Sequence, residues 1–185
     1  AIRVIKSSGG KQGRVLTPEP GHYRAPEVSP DGRVVAFEKL KGGWLRSAQW
    51  SRDPGLYAVS TRGGPMYRFA RRGDSPHFAN TSDRVFFHRF NAPKKRHELQ
   101  SVGLGDKRQR VHATTKFGDE LRISPNGQWI AFREGYEAWV APFAFAATFA
   151  FYLAPAALLP GAIARAWRGE GEWAKDAKAD AARLE

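Results

Sequence analysis

The stretch VSPDGRVVAF at residues 28–37 recurs almost unchanged as ISPNGQWIAF at residues 123–132. In each copy a turn comes first, because proline presets the backbone of its first central position and glycine supplies a positive φ. The turn residues are Ser29, Pro30, Asp31 and Gly32 in one copy and Ser124, Pro125, Asn126 and Gly127 in the other. A short run of β-branched and aromatic residues follows each turn and indicates a buried strand. The chain therefore repeats a β-structural unit.

A weaker copy, HFANTSDRVFFHRF, lies between the two at residues 77–90. It lacks the proline and the glycine, and we align it by placing Arg84 on Arg33. This alignment gives a period of 51 residues from Ser29 to Asn80 and of 44 residues from there to Ser124. Repeats of roughly 40–50 residues with several strands each are typical of propeller blades.

A short alternating strand also recurs once in each unit. Its copies are RVIKSSGG at 3–10, LYAVSTRGG at 56–64, ELQSVGLGD at 98–106 and EAWVAPF at 137–143. The first three end in glycine-containing turns.

We therefore predict an all-β fold, a partial β-propeller over residues 1–143. About three four-stranded antiparallel blades lie near 11–63, 64–106 and 107–143, and residues 1–10 form the last strand of a preceding blade. A β-sandwich with similar turns is the alternative, but a sandwich gives no reason for a ten-residue string to recur.

The composition narrows the chemistry of the 185-residue chain. It has no cysteine, which excludes disulfides, thiolate nucleophiles and cysteine metal sites. The net charge of +12 suggests an anionic partner. However, the basic residues are scattered, and the densest cluster, KKRH at 94–97, is typical of a solvated hairpin loop. We predict no specific nucleic-acid partner.

The repeated strings resemble the repeat of TolB-like β-propellers, which are related to WD-type repeats. Three longer strings, at residues 16–32, 50–59 and 123–143, together resemble the propeller that precedes the metal-dependent barrel of bacterial amidohydrolases. The resemblance implies a non-catalytic propeller segment that is a scaffold or shield for a catalytic domain absent from this chain. The alternative is a TolB-like envelope module that binds a protein.

No catalytic residue, metal or cofactor is predicted within the chain. An amidohydrolase barrel needs a His-x-His pair, and no two of the five histidines have that spacing or the spacing His-Glu-x-x-His. These histidines are His22, His77, His88, His97 and His112. Ser51 and Asp53 lie in WSRDPGLY, where Asp-Pro-Gly favours a turn over an active site.

Three residues are candidates for contact with a ligand or partner. His22, Tyr23 and His77 precede the first two turns, so they face the central channel if they lie on inner strands. The alternative is that such a histidine satisfies hydrogen bonds between blades.

Residues 144–185 differ from the blades. They are rich in alanine, and the uncharged stretch 138–164 is long enough to cross a bilayer, although three prolines interrupt it. Poorly determined strands, a sequence artefact and a short helix that packs on the blades are the other interpretations. Residues 172–184 favour a helix.

The predicted partners are the remaining blades or catalytic domain of a parent chain, or a second copy. A protein partner is possible, and a membrane span is not favoured. The resemblance favours a bacterial periplasmic or secreted location without determining it.

Overall fold

The structure is a computed structural model that describes residues 1–8, 13–44, 47–143 and 149–150. The described residues belong to one compact unit. Apart from a two-residue strand at Phe149–Ala150, the predicted tail lies outside the described residues, including the helix at 172–184.

Sixteen strands account for the secondary structure of the described residues. They are β1 (Arg3–Val4), β2 (Arg14–Val15), β3 (His22–Val28), β4 (Val34–Leu40), β5 (Gly42–Trp44), β6 (Ser47–Trp50), β7 (Gly55–Ser60), β8 (Tyr67–Ala70), β9 (Asp74–Phe78), β10 (Arg84–Asn91), β11 (Arg96–Gly103), β12 (Gln109–Thr115), β13 (Gly118–Ile123), β14 (Trp129–Glu134), β15 (Glu137–Pro142) and β16 (Phe149–Ala150).

The strands form consecutive antiparallel sheets, as in an arc of a β-propeller. The first sheet has the order β3-β4-β7-β8, the second β9-β10-β11-β12 and the third β13-β14-β15, while β1-β2 and β5-β6 are separate hairpins. Strand β16 adds to β12 in parallel. Strand β3 contacts β9 and β9 contacts β13, so the first strand of each sheet is its inner strand. The predicted fold class is confirmed.

The bounds of the three sheets differ from those of the predicted blades, which are 11–63, 64–106 and 107–143. The sheets span residues 22–70, 74–115 and 118–142. The reason is that Gly63 and Gly64, at φ 89° and 114°, reverse the chain within a blade, so the strand after them pairs with β7. Residues 1–10, predicted to form the last strand of a preceding blade, contain β1, which pairs with β2. Membership of a preceding blade stays a prediction.

The repeated turns owe their identity to one hydrogen-bond pattern. In the first, the Ser29 hydroxyl donates to Asp31 Oδ1 (2.6 Å) and accepts the Val34 N–H (3.0 Å). In the third sheet, Ser124 donates to Asn126 Oδ1 at 2.6 Å and accepts the Trp129 N–H at 3.0 Å. Gly32 and Gly127 both have φ 70°, a left-handed conformation that costs free energy in other residues.

Replacing Ser29 with alanine is expected to lower the free energy of unfolding by about 1–2 kcal/mol. The serine is only 3% exposed, and its loss leaves the Val34 N–H without its acceptor. Urea unfolding measures the change. Ser60→Ala is the matched control, since that exposed hydroxyl accepts one N–H, from Arg62. Equal effects of the two substitutions would contradict the assigned role of Ser29.

The second sheet has a different register from the one that the alignment of Arg84 with Arg33 predicts. Val28 pairs with Val35 in the first sheet, and Phe78 pairs with Val85 in the second. Arg84 therefore occupies the position of Val34, and the spacing from Ser29 is 50 residues, to Ala79. A buried arginine fits there because its guanidinium donates to Ser101 Oγ at 2.9 Å.

The core consists of apolar layers between neighbouring sheets. One layer joins the first and second sheets and contains Ala36, Leu56, Ala58, Phe69, Phe78, Val85, Phe87 and Val102. Another covers the opposite face of the first sheet and contains Leu16, Val35, Phe37, Tyr57 and Val59. The first sheet is thus apolar on both faces, as propeller packing requires.

Candidate functional site

Each of the three sheets carries one charged cross-strand pair at the same register. Inner-strand residues Arg24, Asp74 and Asp119 pair with second-strand residues Glu38, His88 and Arg133, respectively. The distances are 2.5 Å from Arg24 Nε to Glu38 Oε2, 3.0 Å from His88 Nδ1 to Asp74 Oδ1 and 2.8 Å from Arg133 Nη2 to Asp119 Oδ2. We call these six residues the charged row.

A backbone irregularity follows each inner-strand member of the charged row. Ala25, Ser75 and Glu120 have φ values of 47°, 51° and 53°, and the pairing register shifts in all three sheets. A left-handed conformation at a residue other than glycine costs of order 1 kcal/mol and persists where the surroundings require it.

At Ser75 the reason for the irregularity is visible. Its backbone N–H donates to Glu38 Oε1 at 2.6 Å, so a carboxylate of the first sheet binds the backbone of the second. The Glu38 side chain is 4% exposed and also accepts the Arg24 bond, so both carboxylate oxygens have a donor. The charged row therefore joins sheets as well as strands.

In the second sheet the row extends to a second histidine. His88 contacts Asp74 through Nδ1, and its Nε2 lies 2.8 Å from His97 Nδ1, with the two rings stacked at 5.1 Å. Burial raises the pKa of Asp74, but the hydrogen bond and charge of His88 and the charge of Arg24 outweigh it and lower that pKa. Burial and the neighbouring His88 lower the pKa of His97.

In the third sheet the row ends in a two-pronged ion pair. Arg133 donates from Nε and Nη2 to the two carboxylate oxygens of Asp119, at 3.0 and 2.8 Å. The hydrogen bond from Arg133 is the largest cause that lowers the pKa of Asp119, and the charges of His97 and His88 add to it. Each carboxylate of the row thus has a basic partner on the neighbouring strand.

Closer to the turns, a second set of inner-strand residues also links sheets. Arg122 of the third sheet donates from Nη2 to Glu27 Oε1 of the first at 2.6 Å. His77 of the second sheet is 3% exposed; its Nε2 accepts the Ile123 N–H at 2.9 Å, and Nδ1 lies 2.9 Å from Ser75 O. Burial lowers the pKa of His77 to about 4, so the ring is neutral.

The predicted contact residues thus have different positions from the charged row. The His77 side chain links the inner strands β9 and β13, because its Nε2 accepts the Ile123 N–H. The Tyr23 hydroxyl donates to Glu19 O at 2.8 Å, and its ring lies edge-on to Phe37 at 5.6 Å. His22 is half-buried, and its backbone N–H donates to Ser51 Oγ at 2.9 Å. A ligand role for these three residues stays a prediction.

The charged row does not stand out in the sequence, although the repeat contains it. Its inner members stand five residues before Ser29, Ala79 and Ser124, and its outer members nine residues after them. Among the described residues, no cluster of three or more His, Asp or Glu side chains is placed to hold a metal ion. No helix of the described chain is long and apolar enough to span a membrane.

Comparisons with known proteins support the fold. No family model matches the chain, and no curated protein matches it. TolB from Acinetobacter baumannii is similar in structure, with a TM-score of 0.52 and 15% identity over 76% of this chain and 34% of that one. The β-propeller domain of the trilobed protease from Pyrococcus furiosus has a TM-score of 0.47 and 13% identity, over 60% and 33%. The chain spans about a third of the length of both structures.

Proposed function

We propose that this chain is a non-catalytic propeller segment that is a scaffold or shield for the catalytic domain of an amidohydrolase-like protein. Two observations support the proposal. The strings at 16–32, 50–59 and 123–143 resemble the propellers of such proteins. In addition, Ala131 and Val140 are exposed on one face of the third sheet, which we call the open face.

The open face supports the proposal because the equivalent residues of the first sheet are buried under the second sheet. In the first sheet Ala36 pairs with Ala58, and the second sheet covers both, leaving them 0% and 6% exposed. Ala131 pairs with Val140 at the same register of the third sheet. There Ala131 is exposed and Val140 is 56% exposed.

A further blade is the partner that these positions fit. The remainder of a parent chain or a second copy supplies it, since both carry sheets with apolar faces. Burial of apolar surface stabilises by about 25 cal/mol per Å², so covering the open face stabilises the assembly. The propeller then positions or shields the active site through its surfaces, without contributing a catalytic residue.

The test is hydrophobic-dye binding and sedimentation of the full 185-residue chain. We expect dye binding or self-association, and we expect Val140→Lys to reduce it about fivefold, because an ammonium group there opposes burial. Val28→Lys is the matched control, since Val28 is 57% exposed on an inner strand. A monomer that binds no dye, or equal effects of the two substitutions, would contradict the proposal.

The same open face also favours the second candidate, an envelope module of TolB-like type that holds a protein partner. For both candidates we propose a periplasmic or secreted location in a bacterium. Binding of a separate protein at the open face, rather than of a further blade, would support the second candidate.

A further inference from the structure

The arc has two chemically different ends. The Asp31 N–H donates to Ser82 Oγ at 3.0 Å, and the side chain of Asn80 lies against Gly127, so the three repeated turns share one end. We call it the turn end. Because strands alternate in direction within each sheet, connections 61–66 and 104–108 also lie at the turn end, and the remaining connections lie at the opposite end. Among the described residues, that loop end comprises 41–44, 47–54, 71–73, 91–95, 116–117 and 135–136, with the strand residues next to them.

The loop end carries the exposed aromatic rings. Among the described residues, the large aromatic side chains that are mostly exposed are Trp50 (63%), Phe90 (51%), Phe117 (59%) and Tyr136 (fully exposed). Each belongs to a different connection or to the strand residue beside it. The other large hydrophobic side chains that are exposed among the described residues are aliphatic, namely Ile5, Val15, Val28 and Val140.

The same loops carry a local excess of positive charge. Their exposed basic residues are Lys41, Arg52, Arg71, Arg72, Lys94, Lys95 and Lys116; the acidic residues are Asp53 in these segments and Asp74, Glu134 and Glu137 on the strand residues next to them. Lys41 Nζ lies 4.9 Å from the Trp50 ring centroid, and Lys116 Nζ lies 5.0 Å from that of Phe117. At both places an ammonium group stands beside an exposed ring.

We infer that the loop end docks on an anionic lipid bilayer. Trp and Tyr rings partition to the membrane–water interface, and each Lys or Arg near an anionic surface adds about 1 kcal/mol of attraction. Rings on separate connections at one end can enter one planar interface together. A single-stranded nucleic acid instead stacks successive bases on rings along one groove.

This mode of binding requires no membrane-spanning segment. The rings occupy the headgroup region, and the lysines beside two of them reach the lipid phosphates. The charged row lies toward the same end, because Phe90 pairs with His97, whose Nδ1 contacts His88 Nε2.

Co-sedimentation of the full chain with vesicles tests the inference. The vesicles contain phosphatidylcholine and phosphatidylglycerol in equal parts, at near-physiological salt. We expect the Trp50→Ser/Tyr136→Ser variant to lose about tenfold in partitioning, as expected when two aromatic anchors are removed. The Ile5→Ser/Val28→Ser variant, which removes exposed apolar groups at the turn end, should partition like the unsubstituted chain.

A charge-reversal pair tests the positive component separately. Lys94→Glu/Lys95→Glu should weaken vesicle binding about tenfold. Arg62→Glu/Arg108→Glu changes the net charge equally at the turn end and should have a much smaller effect. Circular dichroism confirms the fold of each variant.

Three outcomes would overturn the inference. The first is that the chain does not bind these vesicles. The second is that the turn-end and loop-end variants lose vesicle binding equally, which would show that net charge alone attracts the chain to the vesicles. The third is that the aromatic substitutions weaken binding of oligo(dT) and leave vesicle binding unchanged, which identifies the rings as a nucleic-acid site.

Discussion

Replacing Phe86 with alanine is expected to lower the free energy of unfolding by about 3–5 kcal/mol, because it leaves a cavity in a close-packed layer. Phe86 is fully buried in the second sheet. Its ring lies 6.0 Å from His77, 5.2 Å from His112 and 6.2 Å from Phe143, measured between centroids. A loss of this size is a large part of the stability of an ordinary domain.

Urea unfolding, followed by tryptophan fluorescence, measures this effect. Phe117→Ala is the matched control, because Phe117 is 59% exposed and lies in a connection at the loop end. It should change the free energy of unfolding by less than about 0.5 kcal/mol. Similar losses in the two variants would show that Phe86 does not pack between the second and third sheets.

The fold class could be predicted because its signal is local. Ser29 and Ser124 each organise a turn from atoms within five residues, so the same string forms the same turn wherever it occurs. The blade bounds depend on pairing between distant strands. The short strand Tyr67–Ala70 has no comparable local signal, and its place in the first sheet follows from pairing with β7.

The register of the second sheet shows how residue identity can mislead. Arg84 matches Arg33 in type, but it lies where Val34 lies in the first sheet. An arginine replaces a valine there because Ser101 and Arg108 supply oxygen acceptors for its guanidinium. A sequence pattern contains no information about such partners.

The charged row could not be recognised by residue type either. In the first sheet the inner strand carries the basic residue, Arg24, and the second strand the acidic one, Glu38. In the third sheet the order is reversed, with Asp119 on the inner strand and Arg133 on the second, so opposite charges pair in both sheets although the residue types differ. Correct pairing registers are needed to see it. The structure supplies them, and the five-residue and nine-residue spacings from the turn then identify the row in each sheet.

The stability of the chain is expected to fall as the pH is lowered from 6.5 toward 4, because of His77. Burial lowers its pKa from the ordinary 6.5 to about 4 in the folded chain. Within this window the unfolded chain binds a proton at His77 that the folded chain does not, so acid favours unfolding. The expected loss between pH 7.5 and 5 is roughly 2 kcal/mol for this histidine.

Urea unfolding of the unsubstituted chain and of His77→Gln, at both pH values, measures the contribution. A glutamine carbonyl can accept the Ile123 N–H that Nε2 accepts at 2.9 Å, so the variant keeps a link between the inner strands. Its stability at pH 7.5 should fall by about 1–2 kcal/mol. However, its pH dependence should be smaller by roughly 2 kcal/mol, since glutamine does not titrate.

Burial also lowers the pKa of His112 to about 4. The His77→Gln variant therefore retains part of the pH dependence, and the His77→Gln/His112→Gln variant loses more of it. If His77→Gln kept the full pH dependence of the unsubstituted chain, His77 would not be the buried neutral link between the second and third sheets.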